Sequence, residues 1–373
     1  MTNKKRIVIK IGSSSLTSLH GEISRRKLKR IVEEVVELKE EGHEVLLVSS
    51  GAVAAGYRKL GCIERPTALT EKQAAASIGQ GLLMEAYSEY FLSHGYVASQ
   101  ILITRSDFSD EKRYMNARNT LKILLDRGIV PIVNENDTVT IDRLKFGDND
   151  TLSAKVAGLV DAEQLIILSD IDGLYDSDPR GNPEARLLSN VQEITQEIED
   201  SAGEPGSDVG TGGMKSKIDA FKMTMASGIP AFLGKSGVRG LIKDAVDGTA
   251  KGTYFNPSAD NGSLDHRKQW IAFNSGPEGI VTVNEKAKSA IVENSGELHA
   301  QHVLNVSGKF KNGAVVRLKD LDGEEIGLGI INYSSDQLSR LQNTDFQIDE
   351  DELAVVDSEG LVCRLDLPIP ASV

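Results

Sequence analysis

Six short aliphatic runs, Arg6–Ile11, Glu44–Val48, Ala98–Ile103, Ile129–Val133, Gln164–Leu168 and Pro230–Leu233, punctuate the first two thirds of the chain, separated by longer amphipathic stretches. Runs this short and apolar suit strands covered on both faces, and the stretches between them supply the covering helices of a mainly parallel sheet. Between the first two runs, Leu28, Ile31, Val32, Val35 and Leu38 recur at helical spacing, with Ser24 placed as an N-cap and Gly42 as the stop. The expected fold class is therefore α/β.

The texture changes after residue 250. Asn256, Pro257, Ser258, Asp260, Asn261 and Gly262 form a polar, turn-rich connection. We therefore divide the chain into a larger domain over 1–260 and a smaller one over 276–357. The latter has short runs at Gly279–Val283, Val303–Val306, Ala314–Leu318, Ile326–Ile331 and Ala354–Val356, the pattern of a small β-rich module. With 42 Lys and Arg against 55 Asp and Glu, the net charge of −13 argues against a general attraction to nucleic acid or anionic membranes. Two cysteines, Cys62 and Cys363, are too few for a disulfide framework or a four-cysteine zinc site and fit a reducing compartment. No secretory signal or membrane span is expected, since no stretch holds 18 uninterrupted apolar residues.

Chemistry concentrates where runs end. Lys10 lies inside an aliphatic run and is followed by Gly12-Ser13-Ser14-Ser15; the second run ends in Ser49-Ser50-Gly51. Ligands of open α/β sheets bind beyond the carboxyl ends of the strands, where both would lie. Asn134-Glu135-Asn136-Asp137 and Gly147-Asp148-Asn149-Asp150 gather amides and carboxylates that can bind an ammonium group, orient lysines or hold magnesium, although turns favour the same residues. Ser169 and Asp170 close the fifth run. Gly210-Thr211-Gly212-Gly213-Met214-Lys215-Ser216-Lys217 precedes an amphipathic stretch to Ala226, so glycines, a helix start and two lysines converge as they do around phosphate. Its spacing is not that of a Walker A loop, and Gly234-Lys235-Ser236 resembles one only by chance. No Gly-x-Ser-x-Gly elbow or flanked cysteine nucleophile occurs, and His299 and His302 lack further ligands. What remains suits phosphoryl transfer by positioning and charge neutralisation.

Ile9-Lys10-Ile11-Gly12-Ser13, Val48-Ser49-Ser50-Gly51-Ala52, Val133–Asp137, Phe146–Asp150 and Gly210–Lys217 together resemble, in order, the signatures of the glutamate 5-kinase family, with a PUA module from Gly276 onward. The resemblance implies a three-layer αβα sandwich of the amino-acid kinase type and the reaction ATP + L-glutamate → ADP + L-glutamyl 5-phosphate, the first step of proline synthesis. It implies that Lys10 and Lys217 stabilise the transferring phosphoryl group and that Asp150 holds them. Ser50, Asp137 and Asn149 would bind glutamate with Asn134 and Asp148 nearby. Lys10, Ser169, Asp170, Thr211, Gly212, Gly213, Met214, Lys215, Ser216 and Lys217 would contact ATP, with Mg²⁺ carried on its phosphates and no separate protein metal site. Feedback inhibition by proline, placed between Glu135 and Gly147, a cytoplasmic location and a homodimer or homotetramer also follow from the resemblance. Where family members often carry a Leu-Leu-Pro-x-Gly-like stretch, this chain reads Glu297–His302. Aspartate, N-acetylglutamate or carbamate are the competing acceptors. PUA modules elsewhere bind RNA, but residues 276–357 carry seven Lys and Arg against 15 Asp and Glu, which argues against nucleic acid and for a regulatory or assembly role.

Overall fold

Strand β1 (Arg6–Ile11) is buried from Ile7 to Ile11 because strands cover it on both edges and helices on both faces. It is central to an eight-stranded sheet with β2 (Glu44–Val48), β3 (Ala98–Ile103), β4 (Val130–Glu135), β5 (Gln164–Ser169), β6 (Asn190–Val191), β7 (Ala231–Lys235) and β8 (Thr253–Phe255). This computed structural model describes residues 4–18, 22–140, 149–179, 181–201, 213–257, 264–294, 296–342 and 354–364. The strand order is β3-β4-β2-β1-β5-β7-β8-β6, parallel throughout except for the antiparallel β7–β8 pair. All six expected strands are present, with ends shifted by no more than two residues. The last two strands at one side of the sheet, β8 and β6, have three and two residues and were too short to leave an apolar run.

Alternation along the strands divides the sheet into two chemically different faces. Ile7, Ile9, Ile11, Leu168 and Phe232 join one apolar cluster with Leu28, Ile31, Val32 and Val35 of the Arg25–Glu40 helix. That helix starts after Ser24 and ends before Gly42, whose φ of +94° favours glycine. Lys10 and its register partner Ile167 point to the opposite face, toward the Asn149–Leu159 helix. Strand order reverses at β1, which has β2 on one side and β5 on the other, so a crevice is expected beyond their carboxyl ends.

A close helix crossing fixes the chain just after β2. The Ala52–Gly56 helix meets the Leu69–Ser93 helix where a Cβ on Gly56 would lie 1.9 Å from Ala75 O and one on Gly79 would lie 1.8 Å from Ala52 O. The obstructing atoms are backbone, so neither glycine has room for a side chain.

The chain divides into two compact units, Met1–Asp107 with Lys112–Asn261, and Phe108–Glu111 with Gly262–Val373. In the second unit, β9 (Gly279–Val283), β10 (Val303–Gly308), β11 (Val315–Lys319), β12 (Glu325–Ile330) and β13 (Leu361–Cys363) form a sheet ordered β10-β9-β11-β12-β13. Trp270 Nε1 donates to Phe108 O at 2.9 Å within this unit. The run at Ala354–Val356 is not a full strand. Val355 and Val356 are buried, but their N–H groups both donate to Leu298 O, at 2.6 and 3.2 Å, making only an isolated bridge. The fifth strand is β13, which pairs with β12 after a turn through Ser358–Gly360. A buried run beneath the sheet and a paired strand have the same apolar signature.

Gly56→Ala is expected to lower unfolding free energy by about 2 kcal/mol or more, because overpacking must push the two helices apart at their backbones. Urea titration checks this; an unchanged midpoint at unchanged slope would show that the crossing yields freely.

Candidate functional site

Two cations and one anion are packed together at the carboxyl ends of β1 and β5. Lys10 comes from β1, Asp150 from the first turn of the Asn149–Leu159 helix, and Lys217 from the first turn of the Met214–Ala226 helix. Lys10 Nζ lies 2.5 Å from Asp150 Oδ1, and Lys217 Nζ donates to Asp150 Oδ2 at 2.9 Å. Asp150 is 0% exposed and both lysines are also buried. Burial alone would push the Asp150 carboxyl up, but the two ammonium groups outweigh it and hold the group below the usual carboxylate range. One carboxylate against two ammonium groups leaves the cluster with an excess positive charge, which favours an incoming anion.

The surroundings suit that anion. Gly213 caps the Met214–Ala226 helix with no side-chain bond, so backbone N–H groups and the positive end of the helix dipole face outward from its first turn. Ser216 Oγ donates to Gly213 O at 2.9 Å and lies 3.4 Å from Asp150 Oδ2, an alternative acceptor for its one proton. A Cβ at Gly12 would stand 3.8 Å from Lys10 Nζ, so glycine there leaves space beside the ammonium group. Ser169, buried at the end of β5, donates through Oγ to the exposed Asp170 at 3.0 Å, and Ser169 O accepts from Ser236 N at 2.7 Å. Met214 is half-buried and Lys215 is exposed. Thr211, Gly212 and Asp148 lie outside the described residues.

An amide network adjoins the charged cluster. Asn149 Nδ2 donates to Ser49 O at 2.5 Å and to Asn134 Oδ1 at 2.9 Å, and Ser50 Oγ lies 3.0 Å from the same nitrogen, sharing its two hydrogens. Asn134 Oδ1 also accepts from Glu135 N at 2.9 Å, while Asn134 Nδ2 donates to Gln80 Oε1 at 2.9 Å. Gly51, at φ +93°, turns the chain after Ser50. Asp137 is half-buried in the turn after β4, where Thr140 N donates to Asn136 O. Asn149 and Asp150 are adjacent, so one helix start ties the amides to the lysines.

Sequence reasoning missed Gln80 and Tyr87, and it picked out Ser49 only as part of the strand end Ser49-Ser50-Gly51. Ser49 Oγ and Tyr87 Oη lie 3.1 Å apart, and burial pushes the Tyr87 phenol well up. Gln80 and Tyr87 are seven residues apart on the Leu69–Ser93 helix, on a buried face otherwise made of residues such as Ala76, Gly79, Leu83 and Ala86. Two hydrogen-bonding side chains on such a face were the available signal.

Residues 5–235 match the model of the amino acid kinase family and residues 279–345 that of the PUA domain. The chain is 63% identical over 370 residues to glutamate 5-kinase 2 of Bacillus licheniformis, covering 99% of each chain. Identity to glutamate 5-kinase 2 of Bacillus subtilis is 60% over 371 residues, covering 100% of this chain and 99% of the relative. The glutamate 5-kinase of Geobacter metallireducens is 46% identical over 337 residues, covering 90% of each. A solved carbamate kinase from Giardia lamblia, bound to AMP-PNP, shares the fold with a TM-score of 0.52 at 17% identity, covering 69% of this chain and 100% of its own.

Asp150→Asn removes the carboxylate that both lysines share and is expected to cost about 3 kcal/mol in urea unfolding at neutral pH. Because the folded carboxyl titrates below its ordinary range, its stabilisation is present above that range and is lost as pH falls through the folded value. The wild-type advantage should therefore shrink below about pH 4, and an advantage that persists unchanged in stronger acid would contradict a charged Asp150.

Proposed function

The chain belongs to the amino acid kinase family and, within it, to the glutamate 5-kinases, and from that premise we propose that it transfers the γ-phosphoryl group of ATP to the γ-carboxylate of L-glutamate. The products are ADP and L-glutamyl 5-phosphate, which feeds proline biosynthesis. The observation that carries this reading is the buried Lys10–Asp150–Lys217 cluster joined through Asn149 to the Asn134–Ser50 amide network.

The acceptor needs no general base, because a γ-carboxylate is ionised at neutral pH. One carboxylate oxygen bonds to the γ-phosphorus as the bond to the ADP oxygen breaks; ADP keeps the bonding pair, and no proton moves. The obstacle is repulsion between the acceptor and the phosphates. Lys10 and Lys217 offset it, and Asp150 keeps both ammonium groups in place before nucleotide arrives. Among the described residues no group of three or more His, Cys, Asp or Glu side chains is arranged to hold a metal ion. In this reading Mg²⁺ would arrive on the nucleotide phosphates and add charge neutralisation when bound with ATP. Ser50, Asp137 and Asn149 bind glutamate in this reading, with Asn134 and Asp148 beside them and Asp137 matched to the substrate ammonium. Ser169, Asp170 and the stretch Thr211–Lys217 receive the nucleotide.

Residues 1–260 would carry catalysis, and 276–357, the PUA module, regulation or assembly. Its acidic balance supports a role other than RNA binding. Among the described residues no helix is long and apolar enough to cross a membrane. A cytoplasmic homodimer or homotetramer completes the proposal. Proline acts as a feedback inhibitor in the same reading, near the stretch Glu135–Gly147, of which 141–147 lie outside the described residues. A cleft lined by Thr104, Asp107, Arg113, Asn136 and Thr140 adjoins this stretch, with Asp107 and Arg113 ion-paired across it at 2.6 Å.

Lys217→Ala is expected to lose roughly 3 kcal/mol of transition-state stabilisation, a fall in kcat of more than about 100-fold. ADP release with ATP and Mg²⁺ measures it; unchanged turnover would remove the lysine from the mechanism. In the same assay, glutamate should outperform aspartate, N-acetylglutamate and carbamate, and proline should slow the reaction at low glutamate. A better turnover of another acceptor would overturn the substrate assignment, and insensitivity to proline would overturn the inhibition.

A further inference from the structure

We propose that Gln80 is a positioning residue for the glutamate site, fixing Asn134 and, through it, the amide of Asn149. The inference rests on the glutamate reading above and adds a residue that does not itself touch substrate.

Two backbone groups dictate the direction of the network. Glu135 N–H can only donate, so the Asn134 atom it meets at 2.9 Å must be the carbonyl oxygen. Ser49 O can only accept, so the Asn149 atom it meets at 2.5 Å must be the nitrogen. With its Oδ1 committed to Glu135 N and Asn149 Nδ2, Asn134 must turn Nδ2 the other way, where Gln80 Oε1 accepts it at 2.9 Å. Asn134 is 2% exposed and Gln80 is 9% exposed, so solvent cannot substitute freely for that acceptor. Removing it would leave a buried N–H without this partner and draw Asn134 away from Asn149. Asn149 Nδ2 turned inward leaves Oδ1 as the end of the amide that a substrate ammonium group can use.

Gln80 is itself firmly placed. Its neighbour Gly79 sits at the close helix crossing, where an added Cβ would collide with Ala52 O. One helix crossing therefore supports both ends of the network, Gln80 on one helix and, through Ala52, the turn carrying Ser49 and Ser50.

The test compares the wild type, Gln80→Met and Gln80→Glu for KM and kcat toward ATP and the acceptor the wild type uses, together with the melting temperature of each protein. Gln80→Met keeps the length but loses the acceptor; Gln80→Glu keeps an acceptor oxygen. The expected result for Gln80→Met is a rise in acceptor KM of roughly tenfold, the scale of one buried unpaired group, with ATP KM within about twofold. Gln80→Glu should recover most of that loss. An acceptor KM unchanged in Gln80→Met, equal rises for ATP and acceptor, or no recovery in Gln80→Glu despite a wild-type melting temperature would overturn the positioning role. A wild type that uses an acceptor other than glutamate would instead overturn the substrate reading, and the comparison on that acceptor would still decide the role of Gln80.

Discussion

A single buried carboxylate, Asp150, holds the two ammonium groups on which the phosphoryl chemistry is proposed to depend. Lys10 and Lys217 are more than two hundred residues apart in sequence, yet each lies within 3 Å of it. Removing charges from water is costly, and the cluster is tolerable because each ammonium has a close partner. The excess positive charge that remains is the useful property. In the proposed function, a nucleotide phosphate supplies negative charge to match it.

The fold's contribution is to bring one helix start against several strand ends. β1 presents Lys10 at the point where strand order reverses, and the Asn149–Leu159 helix begins with an amide and then a carboxylate. Asn149 is bonded to the turn after β2 and to Asn134 of β4, while Asp150 is bonded to the lysines. The proposed acceptor and donor sites would thus be one residue apart on a rigid element, as in-line transfer between two bound anions requires. Behind them, the crossing at Gly56 and Gly79 keeps the supporting helices at a separation set by backbone contact.

Much of this was legible in the sequence, for reasons that differ between residues. The parallel strands could be read because their aliphatic runs are buried on both faces, and Lys10 stood out as a charge inside such a run. The helix from Met214 to Ala226 announced itself through the glycines before it. Gln80 escaped notice because a glutamine in a long helix is ordinarily solvated, and only the structure shows its face turned toward Asn134. Val355 and Val356 misled because burial without pairing looks like a strand. The pairing of Asp150 with lysines 140 residues upstream and 67 residues downstream is a tertiary fact that no local spacing encodes; only the resemblance of the whole motif set pointed to it.

The turnover of Asp150→Asn, followed by hydroxylamine trapping of the acyl phosphate formed from glutamate and ATP, tests the central claim most directly. With both lysines present but no longer held, kcat should fall by about 100-fold or more, while KM for ATP and for glutamate stays within a few-fold of the wild type. A kcat within about twofold of the wild type would contradict the claim that this carboxylate organises the charge on which transfer depends.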